Sequence, residues 1–427
     1  MPRSLCEAGR PFLKDMWPQS LVQLGENTTI CRILKVETTT SSQVHNVRFE
    51  VTGSITSSEK PESKSSISTQ VKVHGDGWRY FTVVECVEGG QAVCVLFKDH
   101  IGHDVAKHAV GPANVLMLAS ADGLRFGSQP TTFMPHAAQL ADSTSERLLT
   151  HNLAVLRHAG QLLAVGGLDN KRFMWKTPGG VHTGIYMLHG RLPQPTTDPA
   201  GRLSVSPPTW RRVHRILRGW HPGCTEGRYF YYLHKRPKDM NDSRPACEFD
   251  GRLSLVHHNG RFWLYARANP ATTGQRFVQV TSSVDGENWS PFELVVIDGY
   301  SLTQGDIYFM SVQSIPTSKR SLVALMPMVQ HRVGCIAMSC STDGITWRRP
   351  TPLQRCALDS SKERTVHHPA SGLLRRGNWV WLYVHENVPG VVESSNLAHG
   401  AEVPPSQLRR YEIPVDALTQ WTAQMGC

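Results

Sequence analysis

No stretch of this 427-residue chain approaches the roughly 18 consecutive apolar residues of a membrane-spanning helix, which excludes an integral helical membrane protein. The opening MPRSLCEAGRPFLKDMWPQS lacks the uninterrupted apolar core of an export signal. Charged residues make up only 19%, and the net formal charge of +10 is spread rather than gathered into a Lys/Arg tract. That argues against a nucleic-acid module. It leaves a solvated surface, or a long-range pull on an anionic partner such as a charged glycan. There is no GxSxG nucleophile elbow, no phosphate-cradling glycine loop, no HxH or HExxH metal pair and no Cys/His dyad motif. No cofactor and no metal is expected. The 10 Cys form no CxxC, and Cys86/Cys94 and Cys335/Cys340 are the closest pairs. In a chain this size they read as free thiols in a reducing compartment, with the cytoplasm as default location. Asn27, Asn241 and Asn288 begin glycosylation sequons, which the missing export signal discounts.

What the chain does have is turn formers and large rings. With 35 Gly, 27 Pro and 11 Trp, it reads as a turn-rich β protein that needs bulky wedges between sheets. One sentence recurs. GQRFVQVTSSVDGENWSPF (274–292) is a strand, a turn holding Ser283, Asp285 and Gly286, and then Trp289. GCIAMSCSTDGITWRRP (334–350) repeats it with Ser341, Asp343, Gly344 and Trp347, and VLMLASADGLRF (115–126) is a partial copy with Ser120, Asp122, Gly123 and Phe126. Asp bonds its own backbone, Gly accepts positive φ, the Ser hydroxyl can take further turn amides, and the ring pins one sheet to the next. Recurrence at this scale predicts a repeat architecture.

Taken in order, residues 1–70 read as an irregular leader with strand-like pieces between Thr28 and Ile55, and residues 71–427 as the repeat domain. Five units follow, each about four strands long, the size of a propeller blade. The third is the cleanest, with DGRLSLVHHNGRFWLYARAN (250–269) turning at Asn259-Gly260. The fourth holds DIYFMSVQSIPTSKRSLVALMPMV (306–329) and the fifth HHPASGLLRRGNWVWLYVHEN (367–387). The expected fold is all-β, a five-bladed propeller of four-stranded antiparallel sheets. A sixth blade follows if Thr28–Ile55 stands alone rather than completing the last.

The S-x-D-G-x-x-W hairpin resembles the Asp box of sialidases, one residue shorter between Asp and Gly. It is more similar to hairpins of the five-bladed propeller glycosidases, a group with arabinanases, xylosidases, fructosidases and mannoside phosphorylases. The resemblance covers residues 77–418. It implies a funnel lined by the innermost strands, with two or three carboxylates meeting at its mouth as acid, base or nucleophile, and stabiliser. The matching positions are Glu248 and Asp250 before the inner strand of unit three, and Asp306 before that of unit four. Unit two departs from the family, offering His151 and Asn152 where an acid belongs, and unit five offers His367 and His368.

Glycoside cleavage needs one carboxyl protonated and another ionised, on opposite sides of the scissile bond. Asp250 and Asp306 are the expected charged pair and Glu248 the donor; the plain alternative is that each caps a turn at a strand start. Arg252, Arg267 and Arg276 can clamp a carboxylate or sulfate, or simply pair with nearby acids. His151, Asn152, His367 and His368 are candidate sugar contacts. Trp220 and Tyr229–Tyr232 are read as packing or a stacking platform. The function expected is a glycoside hydrolase-like enzyme acting on a carbohydrate; the alternative is a non-catalytic propeller that binds glycan or protein.

Overall fold

The computed structural model describes residues 32–37, 45–47, 50–53, 71–73, 81–87, 89, 92–98, 115–124, 126, 131–134, 153–167, 184–197, 203–218, 221–223, 252–268, 276–300, 305–330, 333–356, 365, 367–386, 388 and 407–427. Blade 1 runs outward from the axis as Thr82–Glu85, Val93–Lys98, Val115–Ser120 and Thr131–Met134. Blade 2 is Ala154–His158, Gln161–Gly167, Gly184–Arg191 and Thr209–Arg218, with a hairpin, Pro195–Thr197 and Leu203–Val205, ahead of its outer strand. Blade 3 is Ser254–His258, Arg261–Ala268, Phe277–Ser283 and Glu293–Leu294. In blade 4 two short strands, Gly305–Ile307 and Ser311–Ile315, share the innermost place against Ser318–Gln330, followed by Val333–Ser341 and Thr351–Cys356. Blade 5 is His368–Arg376, Trp379–Glu386 and Gln407–Pro414.

The outer places of blade 5 come from the other end of the chain. Arg32–Glu37 pairs antiparallel with Gln407–Pro414, with Arg32 opposite Glu412, and Glu50–Gly53 pairs with it in turn. The stretch that sequence left as either a sixth blade or a completion of the last is therefore the completion. Two ends sharing one sheet close the ring by hydrogen bonds.

Five apolar seams complete that closure, one between each pair of neighbouring blades. Met117 and Phe133 of blade 1 meet Leu162 and Leu188 of blade 2. Val165 and Met187 meet Leu255 and Leu264 at the next seam. Tyr265 and Val280 meet Met326 and Trp347. Leu325 and Cys340 meet Val384 and Tyr411. The last seam joins Trp381, Tyr383 and Leu408 of blade 5 to Phe81, Val95 and Leu118 of blade 1. Because a middle strand is covered on both faces, it loses the polar/apolar alternation of a one-sided sheet. Phe277–Ser283 is buried at every position.

The repeated turns are built as their chemistry requires. In the third blade Ser283 Oγ donates to Asp285 Oδ1 (2.9 Å) and accepts from the Gly286 amide (2.9 Å), while Asp285 Oδ1 takes the amides of Glu287 and Asn288 (2.8 Å each). The fourth blade repeats this through Ser341, Asp343, Gly344, Ile345 and Thr346. The first does so through Ser120, Asp122, Gly123 and Leu124. All three glycines sit at positive φ, 69°, 77° and 82°. Trp347 is fully buried in its seam and Phe126 nearly so. A second repeat docks two of these turns. Trp263-Leu264-Tyr265 and Trp381-Leu382-Tyr383 occupy the second strands of blades 3 and 5, and their tyrosine hydroxyls donate to Gly344 O (2.9 Å) and Gly123 O (2.8 Å) of the following blade.

The expectation of free thiols is corrected. Cys86 and Cys94 form a disulfide across the first hairpin of blade 1, and Cys340 is bonded to Cys427. Local spacing cannot reveal the second pair, because its partners are 87 residues apart and meet only once blades 4 and 5 have packed. Among the described residues, no helix is long and apolar enough to cross a membrane.

Candidate functional site

The inner strands belong to separate sheets, and side chains bridge their backbones. Ser254 Oγ donates to Val312 O (2.9 Å) and accepts from its amide (2.8 Å), tying blade 3 to blade 4. Gln313 does the same with Leu373, through Oε1 (2.7 Å) and Nε2 (2.7 Å), tying blade 4 to blade 5. The backbone of Gly372 passes so close to the Gln313 amide that a Cβ there would occupy the same space.

Arg252 makes the longest bridge. It precedes the inner strand of blade 3 and reaches across the axis to blades 1 and 5. Its guanidinium donates to Phe81 O (3.3 Å), Thr82 Oγ1 (3.0 Å), Pro369 O (2.8 Å) and Ala370 O (2.6 Å), with Phe309 of blade 4 beneath it at 5.8 Å. Four blades thus meet at one side chain. The residues at the starts of the inner strands form the floor of the axial mouth around it.

On that floor, Asp306 is held from two directions by Arg276. The Arg276 amide donates to Asp306 Oδ1 (2.7 Å), and Nε of the same residue lies 3.2 Å from that oxygen. Both partners are buried. The Arg276 guanidinium lies over the Tyr308 ring at 4.6 Å and that of Arg267 at 5.6 Å. His368 stacks on the same ring, with centroids 5.1 Å apart and planes 22° apart. Tyr308 is the half-exposed member of a group whose other side chains are buried. Phe309 meets His368 edge-on at 5.4 Å, and Phe81 lies 4.6 Å from His385.

Burial sets the protonation of the histidines here. Desolvation first, then the neighbouring His367 and Arg252, lowers the His385 pKa to about 3. His368 is likewise pushed well below the usual range by burial, then by His385 and His367. Both rings are neutral over the physiological range, which suits them to hydrogen bonding and ring stacking rather than to charge.

Of the residues singled out from sequence, the structure brings Asp306, Arg252, Arg267, Arg276, His367 and His368 together at one end of the axis. Glu248, Asp250, His151, Asn152, Trp220 and Tyr229–Tyr232 lie outside the described residues. Sequence reasoning missed His385, Tyr308 and Phe309. The aromatic pair two and three residues after Asp306 was a usable signal. His385 carried none, since only strand register sets it opposite His368. No group of three or more His, Cys, Asp or Glu able to hold a metal occurs among the described residues.

No family model matches the chain, and no curated protein matches it. Among solved structures it is similar to an N-acetylgalactosamine deacetylase from F. plautii bound to blood group B trisaccharide, at 11% identity over 91% of this chain and 97% of that one, TM-score 0.43. It is similar to Zg3597, a family 117 glycoside hydrolase of Zobellia galactanivorans, at 12% identity over 89% and 93%, TM-score 0.45. It is also similar to a β-1,2-mannobiose phosphorylase of Listeria innocua in complex with β-1,2-mannobiose, at 10% identity over 81% and 91%, TM-score 0.41.

Proposed function

We propose that the chain acts on carbohydrate at the axial mouth, cleaving a glycosidic bond by carboxylate acid/base chemistry. The observation that carries this reading is Asp306, a buried carboxylate at an inner-strand start, fixed by the Arg276 amide and guanidinium beside a half-exposed aromatic. A carboxylate so paired suits the charged role, as base, nucleophile or stabiliser of a developing cation. The proton donor then falls to Asp250 or Glu248, whose place in the proposal rests on sequence position, two and four residues ahead of Arg252. Arg267 and Arg276 favour an anionic sugar, since guanidinium pairs with carboxylate or sulfate in a fork. Arg252, engaged with four protein acceptors, is assigned to holding the floor. His367, His368, His151 and Asn152 are assigned to sugar hydroxyls.

One observation favours the second reading, a glycan-binding propeller without turnover. Among the described residues of the mouth, Asp306 is grouped with Arg252, Arg267 and Arg276 and with the buried His367, His368 and His385, a set richer in ligand contacts than in acid/base pairs. A turnover screen on neutral and acidic oligosaccharides, run beside calorimetric binding, separates the two. The enzyme reading expects product from the wild type and a loss of 100-fold or more in Asp250→Asn and Asp306→Asn, a scale of about 3 kcal/mol in the barrier. Binding without product would support the second reading and overturn the first.

A further inference from the structure

We infer that this chain matures in an oxidising compartment and that the Cys340–Cys427 disulfide is a permanent clasp holding the closing blade on the ring. Two independent cysteine pairs are bonded, Cys86–Cys94 with Cα atoms 5.6 Å apart and Cys340–Cys427 with Cα atoms 6.3 Å apart. Disulfides persist where the surroundings are oxidising and are rare in reducing cytosol. In forming the clasp, two Sγ–H bonds are lost and one Sγ–Sγ bond is made. The two electrons pass to a thiol–disulfide oxidant, whose own disulfide becomes a dithiol by taking up the two protons.

The clasp sits where the ring is otherwise closed only by noncovalent contacts. Blade 5 supplies three of its own strands and borrows the fourth, Arg32–Glu37, from the far end of the chain. Straight after its third strand comes a helix, Val415–Gln424, which folds back over the seam between blades 4 and 5. Trp421 is buried there and its Nε1 donates to Thr351 Oγ1 of blade 4 (3.1 Å). Beyond the helix, Ser321 Oγ donates to Cys427 O (2.7 Å), and the Cys427 sulfur bonds Cys340 on the third strand of blade 4. The loop so closed spans 87 residues and contains every strand that blade 5 draws from its own stretch of chain. Blade 5 therefore cannot peel from blade 4 without dragging a covalent tether. By contrast, Cys86–Cys94 closes only 8 residues within one hairpin. A longer closed loop restricts the unfolded chain more, so the clasp carries the larger share of stabilisation. Cys340 is wholly buried and Cys427 partly so, which limits the access of reductants to the bond while the seam stays closed. That makes it a fixture and not a switch.

The test uses the full chain, exported through an oxidising compartment and unfolded with maleimide present, so that any free thiol is blocked as it is exposed, then digested without reductant. The expected result is a linked peptide pair containing Cys340 and Cys427. Cys427→Ser should melt several degrees below the wild type, and Cys86→Ser/Cys94→Ser should lose less. Full yield and an unchanged melting temperature for chain made in a reducing cytoplasm would overturn the compartment. Maleimide on Cys340 and Cys427 of the exported chain unfolded in its presence, or an unchanged melting temperature for Cys427→Ser, would overturn the clasp. Should Cys427→Ser fail to fold, the linked or maleimide-labelled peptide of the wild type still decides.

Discussion

His385 is buried, neutral and packed against Phe81, with His367 and Arg252 close enough to oppose any added charge. Its folded pKa of about 3 lies below the ordinary value of 6.5, so between these limits only the unfolded chain takes up the proton. Stability from this group is complete above pH 6.5 and is lost as pH falls towards 3, at a slope near 1.4 kcal/mol per pH unit for one proton. His385→Gln should flatten part of that slope when denaturant unfolding is followed from pH 7 to 4. An unchanged slope would mean that the ring titrates alike in both states. The mouth was half legible at this scale. Asp306, Arg276, His367 and His368 stand next to strand starts and could be picked from sequence. His385 depends on register across a hairpin and could not.

At the scale of elements, the turn of Ser341, Asp343 and Gly344 is both latch and dock. Burial pushes the Asp343 pKa up, but the amides of Thr346 and Ile345 and the hydroxyls of Ser341 and Thr346 outweigh it, and the carboxyl ends below the usual range. Such a group stabilises the fold above its unfolded value, near 3.9, and ceases to do so as pH drops through its lower folded value. Gly344→Ala should cost more than the roughly 1 kcal/mol of a positive-φ alanine, because the new Cβ would also press on Tyr265 and Trp263. Trp347→Ala empties a fully buried seam position and should lose about 3 to 5 kcal/mol in equilibrium unfolding. Equal stability of either variant with the wild type would sink the docking role. The Asp-Gly turns were readable because their chemistry is local. The Trp-Leu-Tyr repeat, written just as plainly in the second strands of blades 3 and 5, escaped notice because its partner lies on the next blade.

For the molecule as a whole, the inner strands are tied together by side chains that each join separate blades, and Arg252 joins the most. Replacing it by Met keeps the length of the stem but leaves Phe81 O, Thr82 Oγ1, Pro369 O and Ala370 O without that donor in a buried place. Several kcal/mol should be lost, since each unmet buried polar group costs about 1 to 3 kcal/mol. Hydrogen exchange should rise at the inner strands of blades 1 and 5 as well as blade 3. Exchange confined to blade 3 would contradict a role across the ring. Blade number followed from repeats in the sequence, but the meeting of both chain ends in blade 5 and the covalent tie at Cys427 are properties of the closed ring. The most direct measurement is a crystal structure of the chain with an acidic oligosaccharide bound. The account predicts five blades and a sugar within hydrogen-bond reach of Asp306 and Arg276, beside Tyr308. A sugar seated at the opposite end of the axis, or an open ring, would contradict it.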